Sequence, residues 1–410
     1  MISVQEAQNR IISNFKRLEG MSIPLDVALG RILSEPIYSN SDLPAFDNSS
    51  VDGFAVQADD ISLATENNPV TLKVIADIPA GSSPKIVLKN GQTARIMTGA
   101  PIPTGANAVV MVEDTQSHQI AVGSTAPDAV TLTKDIAIGE NIRRIGSDIT
   151  FQQKILNDGR MLRAQDIGIL AMLGYSTVRV SRKTKIALIS TGDELVPLTL
   201  PLTPGKIYDS NTYMLAALAE KAGCEVSNIG TAADRYDAVD KLLSQAAKTK
   251  PDLIISSAGV SAGAFDYVKD VVGSSGSINF WKVNMRPGKP LAFGSYRNIP
   301  FLGLPGNPVS SFVSFLVFVQ PVLELLSGVT TKENPQVKVT LSESIESDGR
   351  ESYLRAVIRK ENGKLFATLT GHQGSGNLIS LVRANALLII PSGVKFCPPG
   401  TEVDAWILEN

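Results

Sequence analysis

The sequence is poor in the residues that build disulfide frameworks and many metal or catalytic sites. Its 410 residues include only two cysteines, Cys224 and Cys397, and two histidines, His118 and His372. So few cysteines argue against a disulfide scaffold and against a cysteine zinc site. Neither histidine stands near a nucleophile or in a metal-ligand spacing, so we expect both to be solvent-exposed or hydrogen-bonded residues.

The sequence also has no excess of charge of either sign, and we do not expect its first residues to be a signal peptide. The 38 basic and 40 acidic residues give a formal net charge of -2, which argues against nucleic-acid binding but leaves room for a local basic pocket. The N-terminus lacks the basic and apolar regions of a signal peptide. The most apolar run, residues 309–326, contains serine, glutamine, proline and glutamate, which favours a buried helix over a membrane span. We therefore expect a cytoplasmic protein that uses neither nucleic acid nor membrane.

Changes in residue pattern along the chain predict four domains. Helical periodicity near the N-terminus returns after a β-rich stretch, which indicates that a β domain is inserted into a helical one. The helical part is expected to hold two helices within residues 3–35, the first capped by Ser3 and the second over residues 25–33. The predicted boundaries are 1–40 with 150–178 for the helical N-terminal or linker domain, 41–149 for the inserted β-rich domain, 179–328 for an α/β domain and 329–410 for a C-terminal β-barrel.

Strands and helices alternate over residues 184–328. This alternation predicts a mostly parallel sheet with helices on both faces, a three-layer α/β domain. In such domains ligands bind outside the carboxyl ends of the strands. The expected strands are residues 185–190, 226–231, 252–257, 278–283 and 301–304, and the expected helices are residues 212–222, 238–247 and 308–326.

The most informative segment is residues 185–211, where a strand leads into a polar turn and then into the start of a helix. The turn carries two adjacent acids, Asp193 and Glu194, of which we expect Asp193 to be the turn former. Single acids of this kind are usually parts of solvated turns. The two acids become evidence for a binding site because polar residues also follow the other strands, and parallel strands end at the same edge of a sheet.

Acidic and basic residues together suggest the chemistry of that edge. The acids that follow the strands are Asp193, Glu194, Asp234 and Asp266. Carboxylates suit Mg²⁺, which needs only one or two of them beside substrate phosphates. Lys282, Arg286 and Lys289 would supply the positive charge that a polyanion requires. The edge is therefore predicted to bind a phosphate-bearing substrate with help from Mg²⁺, although the chain has no Walker A sequence, no dinucleotide fingerprint and no nucleophile elbow.

Ordered motifs along the whole chain resemble those of the molybdopterin molybdenumtransferases, a family that includes the bacterial MoeA-type enzymes and the gephyrin E domain. The motifs that carry the resemblance are FDNSSVDGFAV from Phe46, MTGAPIPTGANAVVMVE from Met97, GENIRRIGSDI from Gly139, STGDEL from Ser190, GKIYDSN from Gly205, SAGVSAGAFDY from Ser257, RPGKPLAFG from Arg286, GLPGNPVSS from Gly303 and GHQGSG from Gly371.

The resemblance implies the last step of molybdenum cofactor synthesis, in which molybdate is inserted into adenylated molybdopterin and AMP is released with Mg²⁺ as cofactor. It also implies a homodimer whose active cleft joins the α/β domain of one subunit to the Asp52 and Thr98 region of the other. Transient contacts with the molybdopterin adenylyltransferase and with cofactor-accepting proteins are expected as well.

The family's functional positions carry over to named residues of this chain. The catalytic set is Asp52, Thr98, Glu194, Asp234, Asp266, Lys282 and Arg286. The substrate-binding set is Asp148, Thr191, Gly192, Asp209, Ser210, Asn211, Ser257, Gly259, Lys289, Pro305, Gly306, Asn307 and Pro308. The molybdate set is Lys289, Pro290, Ser310, Arg355 and Ser375, and the metal set is Glu194, Asp234 and Asp266.

Two other functions fit parts of this pattern. A molybdopterin adenylyltransferase or a nucleotide-pyrophosphate-cleaving enzyme would share the α/β domain and its turn, but it would need neither of the β modules. A non-catalytic scaffold or cofactor carrier would share the whole architecture, but it would tolerate loss of the acids and bases that this chain retains.

Overall fold

The computed structural model describes residues 1–116, 125–258, 267–330 and 335–408. The chain forms two compact units, one of Met1–Glu35 with Asp158–Asn410 and the other of Pro36–Asn157. His118, Gly259 and Asp266 lie outside the described residues. The boundaries of the four predicted domains stay a prediction.

The N-terminal segment contains one helix rather than two. Helix α1 (Val4–Ile12) begins at Ser3, whose hydroxyl accepts the Glu6 N–H at 3.1 Å, as the capping pattern predicts. The strand β1 (Gly20–Pro24) follows. The prediction of a second helix over residues 25–33 is wrong: only the 3₁₀ turn Leu25–Val27 forms there, and Gly30 at a φ of 73° turns the chain out of helical conformation.

The second unit is built mostly of short strands, as the residue pattern of its sequence predicts. Five of them form a sheet in the order β7-β4-β6-β5-β8. Phe54, Leu72 and Val110 lie in its core. The strands of this unit are β2 (Ile37–Tyr38), β3 (Asn48–Ser49), β4 (Gly53–Val56), β5 (Val70–Ile78), β6 (Gln92–Ile96), β7 (Ala108–Met111), β8 (Ala129–Leu132), β9 (Ile142–Arg143) and β10 (Lys154–Leu156).

The chain then returns to the first unit. Helix α2 (Ala164–Met172) forms where helical periodicity predicts it, and β11 (Thr177–Ser181) pairs antiparallel with β1. Asp166 in the first turn of α2 is 4% exposed and accepts hydrogen bonds from Arg160 and from the Arg163 backbone. This buried ion pair fixes the start of α2.

The α/β domain has a six-stranded sheet in the order β15-β12-β16-β20-β19-β17. The first four strands in this order are parallel, which confirms the predicted mostly parallel sheet. The strands of the domain, of which β13, β14 and β18 lie outside this sheet, are β12 (Lys185–Thr191), β13 (Leu195–Val196), β14 (Ile207–Tyr208), β15 (Glu225–Ala232), β16 (Leu253–Ser257), β17 (Gly276–Lys282), β18 (Met285–Arg286), β19 (Pro290–Tyr296) and β20 (Ile299–Leu304). Its helices are α3 (Ser210–Lys221), α4 (Tyr236–Lys248), α5 (Tyr267–Ser275), α6 (Pro308–Ser314) and α7 (Gln320–Ser327).

Strand β19 and helix α5 are additions to the predicted pattern. Strand β19 is antiparallel to both β17 and β20. Its one proline, Pro290, is its first residue and its one glycine, Gly294, lies near its middle, and both residue types weaken a strand pattern. Because β19 lies between them, β17 and β20 run in the same direction.

One long helical segment closes the α/β domain. Helices α6 and α7 are joined by a π turn over Phe315–Val319, and the run Pro308–Ser327 is long and apolar enough to cross a membrane by composition. Of its most apolar window, 78% is buried inside the structure. Val313, Phe318 and Val322 belong to the main core cluster. The segment is a core helix of this domain, as its interrupted apolar run predicts.

The C-terminal region forms the predicted barrel. Strands β23, β24, β21, β27 and β25 pair in that order, and β25 pairs again with β23, so the ring is closed. Strand β18 of the α/β domain adds to the start of β23. The elements are β21 (Gln336–Leu341), β22 (Ile345–Glu346), β23 (Glu351–Glu361), β24 (Lys364–Leu369), α8 (Leu378–Val382), β25 (Ala386–Ile390), β26 (Phe396–Cys397) and β27 (Glu402–Ile407).

Replacing Asp166 by Asn is expected to destabilise the first unit. Burial alone would raise the pKa of Asp166, but the hydrogen bonds from Arg160 and from the Arg163 N–H outweigh it and lower the pKa from 3.8 to about 2. Since the folded value lies below the unfolded one of about 3.9, the carboxylate contributes about 2 kcal/mol above roughly pH 4, and this contribution is lost as the pH falls toward 2. Urea unfolding of wild type and Asp166→Asn at pH 7 and pH 3 measures the difference.

The matched control is Asp158→Asn. Asp158 pairs with Arg17, but its side chain is 49% exposed, so its loss is expected to change stability by at most about 1 kcal/mol. An equal loss of stability in the two variants at pH 7 would contradict the stabilising role of the buried Asp166 carboxylate.

Candidate functional site

The carboxyl ends of the four parallel strands lie in register at one edge of the sheet. Thr191, the last residue of β12, pairs with Ala232 at the end of β15. On the other side Ser190 pairs with Ser257 at the end of β16, and Ser257 pairs with Leu304 at the end of β20. The turns that follow these strands therefore open side by side.

The last residue of β17 reaches the same edge. Because β17 and β20 run in the same direction, Lys282 ends its strand on the side where Leu304 ends β20. Lys282 pairs with Pro290, the first residue of β19. A predicted basic residue and a predicted molybdate residue thus stand beside each other at this edge.

The two adjacent acids have different surroundings. Asp193 ties two turns together, because its Oδ1 accepts the N–H of Asp234 at 3.1 Å and its carbonyl accepts the Lys206 ammonium. The Glu194 carboxylate lies against Gly192, where a Cβ would come within 2.7 Å of Glu194 Oε2. Asp193 is therefore the turn former, and Glu194 has an exposed carboxylate in front of the strand end.

Negative charge is concentrated at this turn. Burial raises the pKa of Asp234 above its ordinary value, and the charges of Asp193 and Glu194 raise it further, against the effect of a hydrogen bond that the Asp193 backbone N–H donates to the Asp234 carboxylate. A carboxylate whose charge is disfavoured in this way is stabilised by an added cation. Within the described part of the chain, no three carboxylate, imidazole or thiol groups converge as a metal site.

A cavity of about 530 Å³ opens beside the acidic turn. Its walls include Asp193, Lys206 and Asp209, together with Tyr213 on α3 and Asn228 on β15. Asp209 caps α3 by accepting the Thr212 N–H at 3.0 Å and the Thr212 hydroxyl at 2.7 Å. Ser210, the first residue of α3, is exposed next to it. The volume falls in the range of pockets that hold nucleotide-sized ligands.

Asn211 joins the start of α3 to the turn that follows β20. Its Nδ2 donates to the Gly306 carbonyl at 2.7 Å, while its buried Oδ1 has no hydrogen-bond partner among the described residues. Pro305 is buried, and Gly306 lies so close to Ala258 that a Cβ at residue 306 would be 3.4 Å from the Ala258 Cβ. The start of α3 and the turn after β16 thus both contact the turn after β20.

The basic residues do not share one environment. Lys282 and Lys289 are exposed, whereas Arg286 is half-buried and lies 3.8 Å from Asp348 of the barrel region. The Arg350 guanidinium, and to a smaller extent Arg286, hold the pKa of Asp348 below its ordinary value. Asp348 is a partner of Arg286 that sequence reasoning missed, since its loop carries no recognisable motif.

Arg355 on β23 is fully buried. Its Nη2 donates to the Gly374 carbonyl at 3.0 Å and its Nε to the Ser380 hydroxyl at 3.1 Å. Among the residues that the structure describes, no carboxylate forms an ion pair with it. Burial, with a smaller effect of the Arg286 charge, lowers the pKa of Arg355 to about 10. A buried cation without a counterion favours an anion beside it.

Ser375 connects the barrel to the turn after β20. Its hydroxyl accepts the Asn307 Nδ2 at 3.1 Å, and its carbonyl accepts the Val309 N–H at 3.1 Å. Pro308 opens helix α6, and Ser310 is 4% exposed in the first turn of that helix. Arg355, Ser375 and the 307–310 turn therefore belong to one connected network.

The predicted residues of the second unit form sites of their own. Asp52 Oδ1 accepts the Thr98 N–H and the Thr98 hydroxyl, each at 2.7 Å. These two hydrogen bonds, that of the N–H first, hold the pKa of Asp52 below its ordinary value. Asp148 is exposed and paired with Arg143. Asp52 is thus an ionised, oriented carboxylate at the surface of its unit.

Family models match almost the whole chain. One described as the MoeA N-terminal region (domain I and II) matches residues 2–174, one described as a probable molybdopterin binding domain matches residues 187–325, and one described as the MoeA C-terminal region (domain IV) matches residues 338–408.

Individual proteins are similar over their full lengths. Molybdopterin molybdenumtransferase 2 of Mycobacterium tuberculosis is 38% identical, with 100% of each chain covered. Molybdopterin molybdenumtransferase of a Nostoc species is 39% identical, with 98% of this chain and 93% of that protein covered. A crystal structure of the molybdopterin biosynthesis MoeA protein from Pyrococcus horikosii is 30% identical and superposes with a TM-score of 0.85 over 100% of both chains.

Replacing Asp234 by Asn is expected to raise the melting temperature at neutral pH. The folded pKa of Asp234 is raised, so its charged form is disfavoured in the fold and its neutralisation removes a repulsion, which we expect to raise Tm by about 1 °C or more. The difference should disappear below roughly pH 4, where the carboxyl is protonated in both states. Differential scanning calorimetry from about pH 3 to about pH 8 checks this.

Asp237→Asn is the control for this prediction. Asp237 lies three residues further on, in the first turn of α4, but its side chain is 77% exposed and its pairing with Arg235 is loose at 3.5 Å. Its Tm is expected to stay at the wild-type value. A lower Tm of Asp234→Asn at pH 7 would contradict the repulsion.

Proposed function

Because the chain belongs to the molybdopterin molybdenumtransferase family, we propose that it inserts molybdate into adenylated molybdopterin and releases AMP, the final step of molybdenum cofactor synthesis. The chain is accordingly an enzyme, a transferase of molybdenum-containing groups. One observation supports the assignment to this site. The sheet edge combines an acidic turn and a nucleotide-sized cavity at β12 and β15 with the buried cation of Arg355, which has no carboxylate partner in the described part of the chain and is linked to the turn after β20.

The acidic turn would bind Mg²⁺. Glu194 is exposed beside the cavity, and the pKa of Asp234 is raised partly by the acids around it, so the donor set fits a hard cation. Mg²⁺ needs only one or two carboxylates when substrate phosphates complete its coordination. Glu194 and Asp234, with Asp266 from outside the described residues, would hold the ion there. Bound Mg²⁺ would neutralise charge on the pyrophosphate of the adenylated substrate.

The residues around the cavity would bind the nucleotide part of the substrate. The adjoining turn includes Thr191 and Gly192, and the start of α3 includes Asp209, Ser210 and Asn211. Asn211 also holds the 305–308 turn through Gly306. Substrate binding on one side of the edge is thereby connected to the geometry of the other side, and rigid positioning of this kind supplies much of the rate acceleration in bimolecular reactions.

The cationic side would hold molybdate. The tetrahedral dianion would lie near Arg355 and Ser375, with Ser310, Lys289 and Pro290 completing the pocket. Lys282 and Arg286 would neutralise the pterin phosphate side, because like charges would otherwise keep molybdate and pyrophosphate apart. Preorganised cations and hydroxyls in a dry pocket then stabilise charge without rearranging during the reaction.

We further propose that the enzyme works as a homodimer in which Asp52 and Thr98 of one subunit serve the site of the other. The support is chemical: Asp52 is an exposed carboxylate held ionised by two hydrogen bonds from Thr98, with no catalytic partner among the described residues of its own unit. An oriented acid of this kind is a common component of active sites.

The reaction itself is the first test. Purified protein is incubated with adenylated molybdopterin, molybdate and Mg²⁺, and both AMP release and reconstitution of an apo-molybdoenzyme are measured. Wild type is expected to be active, and Glu194→Gln is expected to lose at least about a hundredfold in rate, since each factor of ten corresponds to about 1.4 kcal/mol and metal assistance supplies several. Glu220→Gln, an exposed acid of α3, is the control. AMP release no faster than without enzyme would refute the function.

A complementation assay tests the shared site. Asp52→Ala and Glu194→Gln are each expected to be nearly inactive alone. When they are co-expressed, about half of the dimers should combine the two variants, and each of these should hold one intact site, so activity is expected to return to about a quarter of the wild-type value. Co-expressed Asp52→Ala and Thr98→Ala, which alter the same half of the site, should stay inactive. Equal activity of the two mixtures would contradict the arrangement.

A further inference from the structure

Gln373 occupies a position at which strand β24 has left strand β23. The two strands pair from Ala356↔Leu369 to Glu361↔Lys364, and just beyond this ladder the Arg355 carbonyl accepts the Thr370 N–H at 3.0 Å. The side chain of Gln373 then reaches both backbone groups of Arg355: its Oε1 accepts the Arg355 N–H at 2.9 Å, and its Nε2 donates to the Arg355 carbonyl at 3.0 Å. The amide thus supplies the acceptor for the N–H and adds a donor to the carbonyl beside that of Thr370.

The same amide shapes the loop of residues 371–376. Gln373 Nε2 also donates to the Gly371 carbonyl at 3.0 Å. The next residue, Gly374, accepts the Arg355 guanidinium, and Ser375 bonds to Asn307 and Val309. Consecutive residues of one loop therefore hold the backbone of Arg355, the guanidinium of Arg355 and the turn after β20.

A change at Gln373 would act on both sides of the pocket. Without the amide, the N–H of the fully buried Arg355 would have no acceptor in its place, and an unpaired buried donor is strongly disfavoured. The loop would have to move to relieve it, and Gly374 and Ser375 would move with it. By contrast, the acidic turn and the cavity beside β15 make no hydrogen bond to this loop among the described residues.

We propose that Gln373 is a positioning residue of the oxyanion pocket, which fixes Arg355 and Ser375 relative to each other and thereby sets the affinity for molybdate. This inference rests on the proposed function. Gln373 itself touches neither reacting group; it acts through the backbone of Arg355 and through the loop that carries Ser375.

The test compares the two substrates of the reaction. Gln373→Met keeps the length of the side chain and removes its hydrogen bonds. We expect the KM for molybdate to rise at least about tenfold, because misplacing a positioning contact by about 1 Å can change rates by about a hundredfold. The KM for adenylated molybdopterin should stay within about twofold of wild type. Gln373→Glu keeps the acceptor for the Arg355 N–H but loses both donor bonds, so it should also weaken molybdate binding.

Gln336→Met is the matched control, since it makes the same substitution at an exposed residue of the same barrel, and it should leave both KM values unchanged. A KM for molybdate of Gln373→Met equal to that of the control, in a folded protein, overturns the proposal. So does an equal rise in both KM values together with a fall in Tm, which would indicate a merely structural role.

Molybdate binding is also measured directly, by equilibrium dialysis without adenylated molybdopterin. Weaker binding to Gln373→Met than to wild type supports the inference even where AMP release fails, so that failure of the proposed function and failure of this inference remain distinguishable. Wild-type protein that does not bind molybdate would overturn the inference too.

Discussion

The parallel register of β12, β15, β16 and β20 is the constraint on which the rest of the site depends. Each of these strands contributes little chemistry itself, but their ends pair at Thr191, Ala232, Ser257 and Leu304. A strand that slipped by one residue would exchange the side chains on its two faces, so the different apolar cores packed on the two faces of the sheet hold the register. The energy that positions the polar turns therefore comes from hydrophobic burial away from them.

The site contains two groups of charge that the folded chain does not neutralise within the described residues, one acidic and one basic. At the acidic turn, burial and then the charges of the neighbouring carboxylates raise the pKa of Asp234. At the barrel, Arg355 is buried with hydrogen bonds to Gly374 and Ser380 but with no carboxylate partner in the described residues. Both arrangements are unfavourable to the fold taken alone, and each becomes favourable when its opposite charge binds. The affinity of such a site for a cation and an oxyanion is thus prepared by the folded chain before either arrives.

Much of this organisation could be predicted from the sequence because it rests on periodicity and on turns with distinctive residues. The α/β alternation, the long core helix, the capping of α1 by Ser3 and the C-terminal barrel all follow from local patterns. Strand β19 and the failed helix over residues 25–33 did not, since the pairing of β19 with its neighbours and the turn at Gly30 outweigh local propensity. The contacts of Asp348 and Gln373 were equally out of reach, because they join residues that only the barrel brings together.

Strand β23 pairs with three other strands and lies between two hydrophobic cores. It pairs with β18 at Glu351 and Ser352, with β25 from Ser352 to Ala356 and with β24 from Ala356 onward. Leu354 and Ala356 face the barrel core, whereas Tyr353 packs in the core of the α/β domain, on the side where Arg355 also lies. One inserted or deleted residue within 352–356 would reverse these faces and turn the guanidinium into the barrel. The spacing of these five residues is therefore fixed by the two cores that the strand separates.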